Sequence, residues 1–309
     1  MIGAVRTIAT RRLPGPAFDE LPDLAIVPLT ELPASPGVAA LVVANEDVDE
    51  RVLDLLPDLR LVANFGVGYD RIDVAACRAR GVGVSNTPGV LDAATADLAL
   101  ALLLAAARRV VEGDRLVRAG GWAGGWSEGA LSPELTGSTL GIVGLGRIGT
   151  AVARRARGFD LRLLYAGRTR LPQEREAELG VEWRELDDLL RESDAVTLHV
   201  PRTAATTRLL DARRLALLRD GAVLVNTARG EIVDEEALVR ELVSGRLRAG
   251  LDVFWEEPHV PEQLLPLPNV VLTPHVGSAT VAARHGMTRL VVDNVLAVVA
   301  GGEPRTPVL

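Results

Sequence analysis

Two doubly wound α/β domains, each built on a parallel sheet, are what this sequence predicts, and three observations carry the prediction. Short apolar runs alternate with helical stretches along the chain, the rhythm of a parallel sheet covered by helices on both faces. One of these runs leads without a break into a glycine-rich turn and a helix, in TLGIVGLGRIG at residues 139–149. Such a turn follows the first strand of its own domain, yet here it stands nearly halfway along 309 residues. A separate α/β unit has to precede it.

Element by element, the strand candidates are residues 39–44, 61–64, 83–85, 139–143, 161–165, 195–199, 222–226, 248–253 and 270–272. Helical stretches fall at 48–56, 74–80, 151–157, 186–192, 215–218 and 235–244. Residues 91–117 are rich in Ala and Leu and contain no proline. With Asp92 and Asp97 early and Arg108, Arg109, Arg115 and Arg118 late, they read as one long helix whose charges suit its dipole. That helix and the Gly/Trp-rich loop 120–129 are expected to bridge the domains, and residues 14–36 read as loop.

Composition narrows the function. Only 3% of residues are aromatic against 48% hydrophobic, so the core must be aliphatic. A net charge of −7 argues against a general binder of nucleic acid or anionic membrane. All 34 basic residues are arginine, which excludes a phosphate-loop lysine and any Schiff-base chemistry. One cysteine, Cys77, excludes disulfides within the chain and cysteine-cluster metal sites, and no metal is expected. The longest apolar run, residues 98–107, is about half of the ~20 residues a spanning helix needs. Arg11, Arg12, Pro14 and Pro16 interrupt any signal-peptide pattern, so a cytoplasmic protein with no membrane partner is expected.

The glycine turn points to a dinucleotide. Gly144 permits a sharp turn, Gly146 removes the side chain that would hold phosphates away, and Gly149 lets the helix pack close on the strand. The pyrophosphate then meets N–H groups where Arg147 and Ile148 open the helix. At the end of the next strand an NAD site carries an acid for the adenosine ribose. Here that strand runs into Ala166, Gly167, Arg168, Thr169 and Arg170 instead. A guanidinium fork can pair with a 2′-phosphate, which a carboxylate would repel, so NADP(H) is favoured over NAD(H). The competing reading is that these arginines are solvated loop charges. Three later segments follow successive strands of the same sheet and so can converge beside a nicotinamide: Arg229 in NTARG, Asp252 and Glu257 in GLDVFWEEP, and His275 in TPHVGSAT. Taken singly, each residue type is more often structural.

In order and spacing, GVGYD at 66–70, NTPG at 86–89, GLGRIG at 144–149, NTARG at 226–230, GLDVF at 250–254 and TPHVGSAT at 273–280 resemble the D-isomer-specific 2-hydroxyacid dehydrogenases over nearly the whole chain. GW at 121–122, YAGR at 165–168 and GSAT at 277–280 resemble the glyoxylate/hydroxypyruvate reductase branch. The resemblance implies two Rossmann-like doubly wound domains with the active site in the cleft between them. Residues 1–88 and 277–309 would form the substrate-binding domain, and residues 89–276 the dinucleotide-binding domain. It implies that Arg229 holds the substrate carboxylate and polarises the keto oxygen, and that His275 donates the proton. Glu257 would hydrogen-bond His275, favour the imidazolium and so raise its pKa. The N–H groups of Val67 and Gly68 would bind the carboxylate, and Asp252 the nicotinamide carboxamide. His199, Pro201, Thr227, Ala228, His275 and Gly277 would border the cofactor, while Asn45 and Trp126 would shape the substrate pocket. The expected protein is a homodimer that reduces a small 2-keto acid to the D-2-hydroxy acid. The alternatives are an NAD-linked D-3-phosphoglycerate, formate, phosphite or other dehydrogenase of the family, and a non-catalytic nicotinamide-binding sensor or corepressor.

Overall fold

A computed structural model describes residues 6–124 and 131–308 and divides the chain into two compact units. The smaller takes the chain as far as Leu91 and again from Ser278, and the larger runs from Asp92 to Gly277.

Strands β1 (Thr7–Ala9), β2 (Leu24–Ile26), β3 (Ala40–Val43), β4 (Leu61–Asn64) and β5 (Gly83–Ser85) form the smaller unit's sheet, with helices α1 (Glu50–Leu55) and α2 (Val74–Ala79) between them. The spatial order is β2-β1-β3-β4-β5, all parallel, so the direction of winding reverses between β1 and β3. Both helices begin on an aspartate: Asp49 accepts from the Val52 N–H at 3.1 Å and Asp73 from the Ala76 N–H at 2.8 Å. Such caps satisfy one of the N–H groups that a helix start leaves without a partner.

The larger unit opens with α3 (Asp92–Ala107) and α4 (Val110–Arg118). A seven-stranded parallel sheet follows: β6 (Thr139–Val143), β7 (Arg162–Ala166), β8 (Val181–Trp183), β9 (Ala195–Leu198), β10 (Val223–Asn226), β11 (Arg248–Leu251) and β12 (Val270–Leu272). Between them lie α5 (Arg147–Ala156), α6 (Gln173–Leu179), α7 (Leu186–Glu192), α8 (Ala212–Leu215) and α9 (Glu235–Val243). The order β12-β11-β10-β9-β6-β7-β8 reverses between β6 and β9. Successive residues of β6 serve opposite faces: Leu140 and Ile142 join the core under α3 and α5, and Val143 joins the core under α7 and α9. A strand buried on both faces reads as a continuous apolar run, which is why this sheet is legible in the sequence. Each Leu or Ile so buried stabilises the fold by roughly 2 kcal/mol.

The chain then returns to the smaller unit as α10 (Val281–Val299), which packs on β3 and β4. Its tail pairs antiparallel with β5: the Asn86 N–H donates to the Thr306 carbonyl at 3.2 Å and the Val308 N–H to the Val84 carbonyl at 2.7 Å.

The structure corrects several expectations. The single helix over 91–117 is two, because Arg109 adopts a left-handed φ of 56° that ends α3, while its guanidinium turns to Glu112 of α4. The apolar run 98–107, by contrast, is a buried helix as its length suggests, with α3 packing on α5, β10 and β11. β1, β2 and β8, three residues each, lie outside the expected strands; β2 sits within a proline-rich stretch and β8 carries the exposed Glu182 at its centre. β2 and two short 3₁₀ turns occupy the stretch 14–36 that reads as loop in the sequence. Among the described residues, no helix is long and apolar enough to cross a membrane.

Candidate functional site

Because every strand of the larger sheet is parallel, the segments that follow β6, β7, β9, β10, β11 and β12 all emerge at one edge, where open α/β sheets take ligands. The glycine turn comes first. Gly144 has φ 94°, and a Cβ on Gly149 would stand 2.1 Å from the Gly144 carbonyl oxygen, so neither position accepts a side chain. A Cβ on Gly146 would meet no protein atom within 4 Å, and no side chain caps the start of α5. The turn is closed on the protein's side and open on the other, with uncapped N–H groups facing the opening. These are the features a pyrophosphate requires.

Beyond β7 the two arginines part. Arg170 spends its fork on Glu176, at 2.9 Å from each oxygen, and lies over the Trp183 ring at 5.8 Å. Glu176 also accepts from the Tyr165 hydroxyl at 2.8 Å, and that hydroxyl accepts from the Leu171 N–H at 2.7 Å. Arg168 is exposed and has no ion pair among the described residues. A phosphate beyond β7 would therefore meet Arg168 and Thr169, whereas Arg170 is held by a carboxylate. Past β9, the packing around His199 lowers its pKa to about 3 by desolvation, although part of its surface stays accessible. The neutral ring bonds the Thr197 hydroxyl at 2.9 Å through Nε2. Pro201 follows on the exposed edge.

Asn226, the last residue of β10, straps the loop that carries Arg229. Its Nδ2 donates to the Arg229 carbonyl at 2.8 Å, and its Oδ1 accepts from the Ala228 N–H at 3.0 Å. Gly230 brings that loop against the next one, since a Cβ there would stand 2.2 Å from the Phe254 carbonyl carbon. Arg229 is half-buried and donates to the Ala228 carbonyl at 2.8 Å. The Thr227 hydroxyl is buried and has no partner among the described residues. An orphaned donor of that kind, in a loop at the ligand edge, fits a bound polar group.

Past β11 and β12 the two loops are joined by carboxylates. Glu257 Oε2 lies 2.7 Å from His275 Nδ1, and its Oε1 accepts from the Phe254 N–H at 3.2 Å. Burial works to raise the Glu257 carboxyl, but His275, the Phe254 N–H and the Arg229 charge together bring it below the ordinary carboxylate range. It is therefore ionised at neutral pH. His275 has a left-handed φ of 51° and keeps 38% of its side chain exposed. Asp252, expected at the nicotinamide carboxamide, is shut inside the protein at 1% exposure. Its oxygens accept from the Thr273 hydroxyl at 2.6 Å and from the Val276 and Gly277 N–H groups at 2.8 Å, while its own carbonyl accepts the His275 N–H at 2.8 Å. Burial raises its pKa against these bonds. In the structure Asp252 clamps both sides of the His275 loop.

In the smaller unit, Asn64 ends β4 as Asn226 ends β10. Its Nδ2 donates to the carbonyls of Gly66 at 3.1 Å and Gly68 at 2.7 Å, and Asn86 Nδ2 donates to the Val67 carbonyl at 2.9 Å. With those carbonyls tied back, the Val67 and Gly68 N–H groups donate to nothing among the described residues. Asn45 follows β3, and Trp126 lies outside the described residues. The sequence does not mark Asn64 at all, and it shows Asn86, Asn226 and Thr273 only as members of motifs, with no role attached to them. For Asn64 and Asn226 the signal is their place at a strand end, since an asparagine side chain readily bonds the backbone two or three residues on, whereas Asn86 reaches Val67 across 19 residues and leaves no local mark.

The family model for "D-isomer specific 2-hydroxyacid dehydrogenase, NAD binding domain" matches residues 100–277. The chain is 51% identical over 273 residues to the glyoxylate reductase of Pyrococcus horikoshii, covering 87% of this chain and 81% of that one. Identity to the glyoxylate reductase of Thermococcus kodakarensis is also 51%, over 87% of this chain and 82% of the relative. Among solved structures, the NADPH-dependent glyoxylate/hydroxypyruvate reductase of Sinorhizobium meliloti, in complex with NADP and malonate, superposes with a TM-score of 0.90 at 38% identity, covering 99% of this chain and 97% of that one. With the glycine turn, the Arg229 loop and the Glu257–His275 pair at one sheet edge, the chain belongs to the D-isomer-specific 2-hydroxyacid dehydrogenase family and is a nicotinamide-dependent oxidoreductase.

Proposed function

We propose that the protein reduces glyoxylate and closely related small 2-keto acids to the 2-hydroxy acid, with NADPH preferred to NADH. The observation that carries this reading is the 2.7 Å contact of Glu257 with His275 Nδ1. It occupies one ring nitrogen and leaves Nε2 to exchange a proton with a ligand. A cofactor bound at the glycine turn supplies the hydride. Arg229, a permanent cation with a forked donor set, holds the substrate carboxylate and stabilises charge on the neighbouring oxygen. His275 delivers the proton to that oxygen, and the Glu257 carboxylate stabilises the imidazolium before transfer. The Asp252 clamp keeps the His275 loop fixed so that the ring needs no reorganisation during the step. In the smaller unit, the Val67 and Gly68 N–H groups offer a site for an anion.

Support for glyoxylate comes from the relatives' activities, and support for NADPH from Arg168 together with the NADP-bound relative. Glyoxylate, hydroxypyruvate and pyruvate, each assayed with NADPH and NADH, test the reading. Turnover of glyoxylate with NADPH in excess of NADH is expected. A nicotinamide-binding protein that reduces none of the three would be a sensor rather than a reductase.

The protein is further proposed to be a homodimer. Val110, Leu116 and Val117 on α4, with Trp122 and Leu131 beyond it, are all at least half exposed, an apolar patch that a symmetric copy would cover. Light scattering should return twice the 32.8 kDa chain mass, and Leu116→Glu should return the single mass.

A further inference from the structure

The two N–H groups that the smaller unit offers to an anion, those of Val67 and Gly68, are not held alike. A trans peptide is planar, with its N–H opposite the carbonyl of the preceding residue, so whatever holds that carbonyl aims the N–H. The Gly66 carbonyl, which aims the Val67 N–H, is held twice, by Asn64 Nδ2 at 3.1 Å and by the Thr87 N–H at 3.0 Å. The Val67 carbonyl, which aims the Gly68 N–H, has one partner among the described residues, Asn86 Nδ2 at 2.9 Å. Asn64 also reaches the Gly68 carbonyl at 2.7 Å, but the two free torsions of glycine separate that group from its own N–H.

Asn86 is in turn held by the C-terminal tail. Its N–H donates to the Thr306 carbonyl at 3.2 Å, and its carbonyl accepts from the Thr306 hydroxyl at 2.6 Å, a contact between residues 220 positions apart. Thr306 is fixed by Asn294 of α10, which is 1% exposed. Asn294 Oδ1 accepts from the Thr306 N–H at 2.9 Å, and its Nδ2 donates to the Thr306 hydroxyl at 2.8 Å. A hydroxyl has one proton, and an oxygen that already accepts from Asn294 directs that proton to Asn86.

Pairing of the tail with β5 needs backbone alone, as the bond from the Val308 N–H to the Val84 carbonyl shows. The Thr306 side chain does something further, since it grips the residue that aims the Gly68 N–H. We infer that Thr306, held by Asn294, is a positioning residue for the anion-binding loop, and that affinity for the carboxylate of the 2-keto acid depends through Asn86 on the C-terminal tail. A hydrogen bond weakens steeply as its donor turns off axis, so loosening this chain of contacts costs binding. This rests on the reductase reading above and deepens it.

Kinetics with glyoxylate at saturating NADPH, the KM for NADPH and Tm test the inference together. Asn86→Ala should raise the KM for glyoxylate about tenfold and Thr306→Val, which keeps the volume without the hydroxyl, about threefold, as expected for losing one hydrogen bond directly or at one remove. Thr306→Ser should keep the wild-type value. In each, kcat and the KM for NADPH should stay unmoved, because the carboxylate is held alike before and during hydride transfer. Val308→Ala loosens the packing of the tail on the core without touching these bonds, and should lower Tm while leaving the KM for glyoxylate as it is. An unmoved KM in both Asn86→Ala and Thr306→Val, or a rise in Val308→Ala as large as in Thr306→Val, overturns the inference alone. A wild-type enzyme that reduces no 2-keto acid overturns the reductase reading and this inference with it.

Discussion

The two sheets solve one problem with opposite materials. Each is parallel and each reverses its winding once, between β6 and β9 in the larger unit and between β1 and β3 in the smaller. At the larger reversal the chain withdraws its side chains: Gly144, Gly146 and Gly149 leave only backbone. At the smaller it keeps them: Asn45 stands just past β3 with φ 114°, and the next residue, Glu46, bonds the Ala44 N–H and the Arg11 guanidinium that follows β1. Backbone N–H groups suit a ligand part that never varies, such as a pyrophosphate. Side chains suit the part that differs from one substrate to the next.

The hardest test of this contrast is to remove the chemistry from the larger edge. His275→Ala should lower kcat by at least ~10²-fold, the lower end expected for a lost general acid. Glu257→Gln should lower kcat by a smaller factor, because the ring then loses the carboxylate that holds Nδ1 and orients Nε2. An unchanged kcat would mean that the 2.7 Å contact has no part in positioning the ring.

Two glycine substitutions probe the withdrawn side chains. A methyl at Gly146 meets no protein atom within 4 Å, so Gly146→Ala should leave Tm unchanged, yet weaken nicotinamide binding about tenfold or more through collision with the bound phosphates. Gly149→Ala drives a methyl to 2.1 Å from a carbonyl oxygen and should destabilise the fold itself. Equal melting losses in both would remove the argument that the turn is shaped for a ligand.

Arg168 and Arg170 sharpen the comparison within one loop. Arg168→Ala should raise the KM for NADPH by about 10- to 10²-fold and leave that for NADH unchanged, as expected for charge-assisted bonds to a 2′-phosphate. Arg170→Ala should scarcely move either KM, since its fork belongs to Glu176. The reverse pattern would assign the phosphate to Arg170.

The smallest effect concerns His199, whose pKa in the fold is about 3. The unfolded chain binds a proton here below about pH 6.5 and the folded protein does not, so stability falls as pH drops from there towards 3. Between pH 7 and 5.5 the loss should be about 1 kcal/mol in the cofactor-free protein. His199→Gln should flatten that slope in urea titrations at the two pH values.

What the sequence discloses follows the same division. Glycines forced by close approach, and strands buried on both faces, leave marks that need no structure, so β6, the GLGRIG turn and most of the seven-stranded sheet are legible. Arg229, Glu257 and His275 are legible as a set because each follows a strand of that sheet. The α3–α4 break at Arg109 is hidden because it depends on one left-handed residue within a run of good helix formers. The partner of Arg170 is hidden for another reason: Glu176 lies on the following helix, and only the fold brings it to the loop. The bridge from Arg11 to Glu46 spans 35 residues and two strands, and nothing in either segment announces the other.

The pairing of residues 306–308 with β5 bears on how the protein is made. Residues 92–277 form one uninterrupted stretch, and all of it is synthesised before α10. The larger unit can therefore assemble during synthesis, as continuous domains generally do. The smaller one cannot: β1 to β5 are made before the larger unit, yet the helix that covers β3 and β4 and the tail that closes the β5 edge are made after it. During that interval an apolar sheet face and an unpaired strand edge stand exposed, the surfaces through which nascent chains aggregate. The unit whose parts are made on either side of the other is thus the one that stays open to aggregation for longest.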